Sequence, residues 1–173
     1  LDPSSIDAAK DDKEATEFLH TKDALWANTI PLSSVIDKAS EFAAVYFVGG
    51  HGPMFDLAKS SESAQLVKNF DAAGKVVAAV CHGPAALTHP DLADFLKGEN
   101  VTGFSNSEEN AVEMSDKVPF LLEDRLKEMG TKYSKGDDWS DYVVVSKGGR
   151  LVTGQNPASA AGVAKKVLEK VQG

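Results

Sequence analysis

The sequence predicts an α/β fold in which one largely parallel sheet is sandwiched by helices and closed by a hairpin and a last helix. Three observations predict it. Val76 to Val80 and Ala43 to Val48 are short apolar runs rich in β-branched residues, which read as strands buried on both faces. Between them Ser63 to Ala73 places Ala64, Leu66, Val67 and Phe70 on one face and stops at Gly74, which gives a strand–helix–strand order. Near the end, Tyr142 to Ser146 and Leu151 to Thr153 flank Lys147-Gly148-Gly149-Arg150, the pattern of a hairpin. The 173 residues suffice for a single domain, 1–173, with a substantial core. No repeat, low-complexity stretch or linker divides them.

Taken in order, Leu1 to Asp12 is polar and turn-rich. Asp11 to Leu19 carries helix formers, and Ala24 to Ala27 extends a second short helix. After Pro31, Ser33 or Ser34 is placed to cap the turn leading to Val35 and Ile36. Pro84 to Thr88 reads as helix and His89-Pro90-Asp91 as a polar turn; His89 and His20 are expected to face solvent. Asn100 to Phe104 is a short strand. Ser105 to Met114 carries Glu108, Glu109 and Glu113, either as a solvated helix start whose acids suit the dipole or as the source of a carboxylate that holds an imidazole. Val118 to Gly130 is an amphipathic helix, and Asp137 to Asp141 an exposed turn with Trp139 as a packing or rim residue. Asn156 and Pro157 open the last helix, Ala158 to Val171.

Composition narrows the function. Hydrophobic residues at 42% and charged residues at 25% are ordinary for a soluble globular protein. A formal net charge of −8 argues against nucleic acid and anionic membranes as partners. No apolar run approaches transmembrane length. One cysteine allows no internal disulfide and points to a reducing compartment, the cytoplasm. The opening Leu1-Asp2-Pro3-Ser4-Ser5 has no signal-peptide character and reads as a processed or truncated start.

Two stretches carry chemistry. The run Lys75 to Val80 ends abruptly at Cys81-His82-Gly83-Pro84, a strand-to-helix turn with the geometry of a nucleophile elbow. A helix start there would supply unpaired N–H groups, lower the thiol pKa and aim an N–H at an oxyanion, with His82 as the adjacent base. The other stretch is Gly49-Gly50-His51-Gly52-Pro53 after the strand ending at Val48. Its glycines let the backbone approach a ligand, although their spacing is not that of a nucleotide-binding loop. Both follow strands of a parallel sheet, so they are expected to face one another at its carboxyl edge. No histidine or carboxylate set has metal-ligand spacing, and no cofactor is called for.

Phe47-Val48-Gly49-Gly50-His51-Gly52, Ala78-Ala79-Val80-Cys81-His82-Gly83-Pro84, Val101-Thr102-Gly103-Phe104 with Glu109, and Leu151-Val152-Thr153-Gly154-Gln155-Asn156-Pro157 together resemble the ThiJ/PfpI superfamily. The resemblance is closest to its glutathione-independent glyoxalase III branch of heat-shock-inducible proteins with chaperone activity. It implies a flavodoxin-like, class I glutamine amidotransferase-like domain, and it covers the whole chain. It implies Cys81 as nucleophile, His82 as base, Glu109 as the acid orienting it, and the N–H groups of Gly50 and His82 as oxyanion donors, with His51 near substrate. It also implies an α-oxoaldehyde substrate converted to D-lactate, dimers, and unfolded client proteins. Family members begin with strands, and a glutamate on one of their loops, that this chain does not carry; the expectation is a domain incomplete at its N-terminus or completed by a separate segment.

Rival readings remain. A cysteine peptidase or deglycase would use the same Cys81–His82 pair. An amidotransferase is disfavoured because no His-x-Glu pair occurs. A stress chaperone or redox sensor would use Cys81 as an oxidisable, exposed, low-pKa thiol.

Overall fold

The computed structural model describes residues 3–173; Leu1 and Asp2, part of the polar opening segment, lie outside the described residues. The chain divides into two units, up to Ser34 and from Val35 onward. The first holds α1 (Pro3–Ala8), α2 (Lys13–Thr21) and α3 (Asp23–Ala27). Asp12 caps α2, its Oδ1 accepting the N–H groups of Glu14 and Ala15. Ser34 does not cap the following turn; its hydroxyl donates backward to the Pro31 carbonyl, and the next 3-10 turn, Ile36–Glu41, has no side-chain cap.

The second unit holds the sheet. Its elements are β1 (Ala44–Phe47), α4 (Gly52–Phe55), α5 (Ser61–Ala72), β2 (Val76–Val80), α6 (Ala93–Leu96), β3 (Asn100–Val101), α7 (Asn106–Ala111), α8 (Leu122–Glu128), β4 (Lys132–Tyr133), β5 (Val143–Ser146), β6 (Leu151–Gly154) and α9 (Ala160–Gln172). The strand order is β1-β2-β6-β5. β1 pairs parallel with β2, with Phe47 opposite Ala79, and β2 parallel with β6, with Val80 opposite Gly154. β5 returns antiparallel to β6, Ser146 opposite Leu151, as the hairpin pattern requires. The fold is thus α/β with a mostly parallel sheet flanked by helices. Every residue of β2 and of β6 is buried, which accounts for the unbroken apolar run of β2.

Several boundaries differ from the sequence reading. Helix α8 starts at Leu122 rather than Val118: Leu121, the residue before it, is extended (φ −81, ψ 124), and Pro119 biases Val118 away from helix. The strand at Asn100 stops at Val101, where it pairs with the two-residue β4. The segment after Cys81 is not an α-helix: Gly83–Leu87 is a single 3-10 stretch that ends at Thr88, whose hydroxyl donates back to the Ala85 carbonyl.

Parallel pairing puts the carboxyl ends of β1 and β2 side by side. The loop leaving β1 therefore lies against the turn leaving β2. A Cβ on Gly49 would come within 2.7 Å of the Cys81 Cβ, and one on Gly83 would collide with the Phe47 carbonyl oxygen. At both positions only glycine permits this approach.

Candidate active site

Cys81 is the first residue after β2 and has φ +60, a left-handed conformation that costs a non-glycine residue about 1–3 kcal/mol. Two backbone bonds hold it there. Its N–H donates to the Gly154 carbonyl at 3.0 Å, and its carbonyl accepts the Phe104 N–H at 2.9 Å. The elbow is thus pinned between β6 and the segment after β3. A Cβ on Gly49 would lie 3.2 Å from the Cys81 Sγ, so the loop leaving β1 runs against the thiol.

His82 is 1% exposed. Its Nδ1 lies 3.4 Å from the Cys81 Sγ, and its Nε2 lies 2.6 Å from Glu109 Oε2. An ionised carboxylate only accepts, so the Nε2 carries the proton and the Nδ1 lone pair faces the thiol, the tautomer a base requires. Phe104 covers one face of the imidazole, its ring centre 4.3 Å away, and Trp139 packs edge-on against Phe104 at 5.7 Å. Trp139 is 47% exposed, so it sits at the rim.

Of the three acids that spacing left open, Glu109 reaches His82. Glu113 is exposed. Glu108, by contrast, is wholly buried, and its oxygens bond to groups other than the imidazole. Ser105 caps α7 in a reciprocal capping box with Glu108. The Glu108 carboxylate also accepts the Trp139 N–H at 2.9 Å, the Gln155 amide at 3.0 Å and the Asn156 amide at 2.8 Å. This cluster joins α7, the Trp139 turn and the segment after β6. The sequence signal for it was the Ser-x-x-Glu spacing of Ser105 and Glu108; Gln155 and Asn156 gave none.

His51, expected near substrate, bonds to the other oxygen of the same acid: its Nε2 is 2.8 Å from Glu109 Oε1. The two imidazole centres are 4.2 Å apart. Among the described residues, His51, His82 and Glu109 are the ionisable side chains whose nitrogen and oxygen atoms converge, within 4.8 Å of one another. Each Glu109 oxygen bonds one imidazole, so the three side chains are held together by hydrogen bonds.

The electrostatics correct one expectation. Burial pushes the Cys81 thiol up to about 11, and the negative Glu108 and Glu109 add to this, against the lowering effect of the Gly50 and His82 N–H groups. A one-turn 3-10 stretch supplies too little dipole to reverse it. With 7% of its surface exposed, Cys81 rests as a neutral thiol, neither exposed nor of low pKa, which weakens the redox-sensor reading. Burial holds His82 below the usual imidazole value, outweighing the hydrogen bond and charge of Glu109. Burial alone would raise the Glu109 carboxyl, but the hydrogen bonds from His82 and His51 and their charges bring it below the usual range. Near neutral pH the site therefore holds a neutral base on an ionised acid. Because a base works when unprotonated, a lowered His82 pKa moves the acid limb of kcat/KM down. That limb is expected below about pH 6.5, and a limb at or above that value would contradict the assignment.

The chain is similar to proteins of one family over nearly its whole length. The DJ-1/PfpI family profile matches residues 6–170. The chain is 34% identical over 144 residues to the glutathione-independent glyoxalase HSP31 of Saccharomyces cerevisiae, covering 78% of this chain and 60% of that protein. It is 30% identical over 181 residues to the probable glutathione-independent glyoxalase hsp3104 of Schizosaccharomyces pombe, covering 98% of this chain and 80% of that one. Among solved structures, the rapid encystment protein of Francisella tularensis superposes with a TM-score of 0.87 at 35% identity, over 99% of this chain and 76% of that one. Glyoxalase III of Candida albicans superposes with a TM-score of 0.66 at 28% identity, over 76% of this chain and 60% of that one. The chain spans about 60% of the length of the first curated relatives it matches.

Proposed function

The chain belongs to the DJ-1/PfpI family, and on that premise we propose that it is a glutathione-independent glyoxalase, a D-lactate dehydratase that converts methylglyoxal to D-lactate. The observation that carries the reading is the line from Cys81 Sγ through both nitrogens of His82 to Glu109. Relatives bearing the glyoxalase name support the substrate class. A single buried thiol suits a reducing cytoplasm.

In this reading His82 Nδ1 takes the thiol proton as sulfur attacks the aldehyde carbon, and returns it to the oxygen, giving a neutral hemithioacetal. The Gly50 and His82 N–H groups, which lower the thiol pKa, stabilise the oxyanion formed on the attacked carbon. His82 then removes the hydrogen from that carbon. A proton shifts from its hydroxyl to the neighbouring oxygen, and His82 delivers its own proton to the neighbouring carbon. The product is a lactoyl thioester on Cys81, which water hydrolyses. General-base catalysis of this kind contributes about two to four powers of ten.

The test is consumption of methylglyoxal by the purified protein without glutathione, with chiral analysis of the product. D-lactate formation supports the reading. A folded, unoxidised protein that leaves methylglyoxal untouched overturns it.

A further inference from the structure

We propose that His51 is the general base for the second half of the reaction: it activates the water that hydrolyses the Cys81 thioester, while His82 returns a proton to the departing sulfur. The proposal rests on the glyoxalase reading only for the identity of the acyl group.

Glu109 is 2% exposed, and its two oxygens serve two imidazoles, at 2.8 Å to His51 and 2.6 Å to His82. Both histidines must donate from Nε2 to an ionised carboxylate, so each keeps a free Nδ1 lone pair. The site thus holds two bases anchored in the same way on one acid. They differ in what they face. His82 is buried with its Nδ1 on the sulfur at 3.4 Å, whereas the His51 side chain is 32% exposed and its loop runs against the thiol at Gly49.

Thioester hydrolysis needs this division. Water attacks the carbonyl carbon, the carbon–sulfur bond breaks, and the oxygen ends in a carboxylate. Two protons of that water must leave. One goes to solvent, and the half-exposed His51 can take it and release it there. The other must reach sulfur, because a thiol held at about 11 departs poorly as the anion. The Nδ1 of His82 lies beside the sulfur and passes that second proton from the tetrahedral intermediate to it. A single buried imidazole would have to serve the solvent side and the sulfur side in turn.

The experiment compares the wild-type protein with His51→Gln, whose amide N–H can still donate to Glu109 but has no basic nitrogen, and uses Cys81→Ala as the blank. The probe is 4-nitrophenyl acetate, which acetylates Cys81 and releases 4-nitrophenol. In His51→Gln the first equivalent of nitrophenol is expected within about threefold of the wild-type rate. Turnover should then fall about a hundredfold, with a hydroxylamine-labile acetyl group accumulating on Cys81. Equal loss in burst and turnover would overturn the proposal by making His51 a positioning residue only. No change in either, or a wild-type Cys81 that the ester never acetylates, would overturn it as well. Running methylglyoxal in parallel separates the two readings: no lactate, with the ester partition intact, removes the glyoxalase reading and leaves His51 as the deacylation base.

Discussion

Replacing Cys81 with alanine should abolish methylglyoxal consumption, lowering kcat/KM by about four to six powers of ten while the protein stays folded. The size follows from covalent catalysis. Without the thiol no hemithioacetal forms, and His82, buried at the foot of the elbow, has no substrate carbon to work on. Folding should survive because the side chain lost is small and the elbow is held by backbone, through the Gly154 carbonyl and the Phe104 N–H. The measurement is methylglyoxal loss in the two proteins, alongside a thermal melt. An alanine variant that keeps more than about a thousandth of the activity would remove Cys81 as nucleophile. The same pair decides against a chaperone as the sole activity, since suppression of client aggregation should not depend on one buried sulfur atom.

The place of Cys81 at a sharp turn after a buried strand was legible in the sequence because its signal is local: a β-branched run, a cysteine, then Gly83 and Pro84. So was the facing loop, because the parallel order of β1 and β2 forces Gly49 to His51 onto the same edge. The thiol pKa was not legible. It depends on burial beneath the loop and on two carboxylates more than twenty-five residues away in sequence, and the expected helix N-terminus proved to be a 3-10 turn. The assignment of Glu109 over Glu108 came from resemblance rather than spacing. Adjacent residues on one short helix point about 100° apart, so one reaches His82 and the other is claimed by Trp139, Gln155 and Asn156. These contacts span 31 to 48 residues, and no local pattern announces them. The bond from His51 to Glu109 spans 58 residues and was hidden for the same reason.

Glu108→Ala should be the most destabilising change near the site, costing about 3–5 kcal/mol, a large share of the roughly 5–15 kcal/mol that holds a domain together. A buried carboxylate without a cation survives only if its oxygens are satisfied, and here they are. Oε2 accepts the Ser105 N–H at 3.0 Å and hydroxyl at 2.7 Å, and Oε1 accepts from Trp139, Gln155 and Asn156. Alanine would leave the buried Ser105 N–H without an acceptor and the Gln155 and Asn156 amides with only their bonds to the Asp137 and Ser140 carbonyls, at about 1–3 kcal/mol for each donor that water cannot reach. Glu108→Gln keeps the shape but turns an N–H group toward N–H donors, so it should fall about midway. The pH dependence has a definite sign. Burial would raise this carboxyl, yet the Trp139 and Ser105 N–H groups, the Ser105 hydroxyl and the Asn156 amide together hold it below the usual range. A folded pKa below the unfolded one gives stability that is present above the unfolded value, about 4.3, and is lost as pH falls through the folded one. Urea unfolding of the three proteins at neutral pH and near pH 3 reads both effects. The wild type should lose its advantage over Glu108→Gln as the pH drops. Equal midpoints at neutral pH would mean that the five donors find water instead, and that Glu108 does not hold α7 to the Trp139 turn.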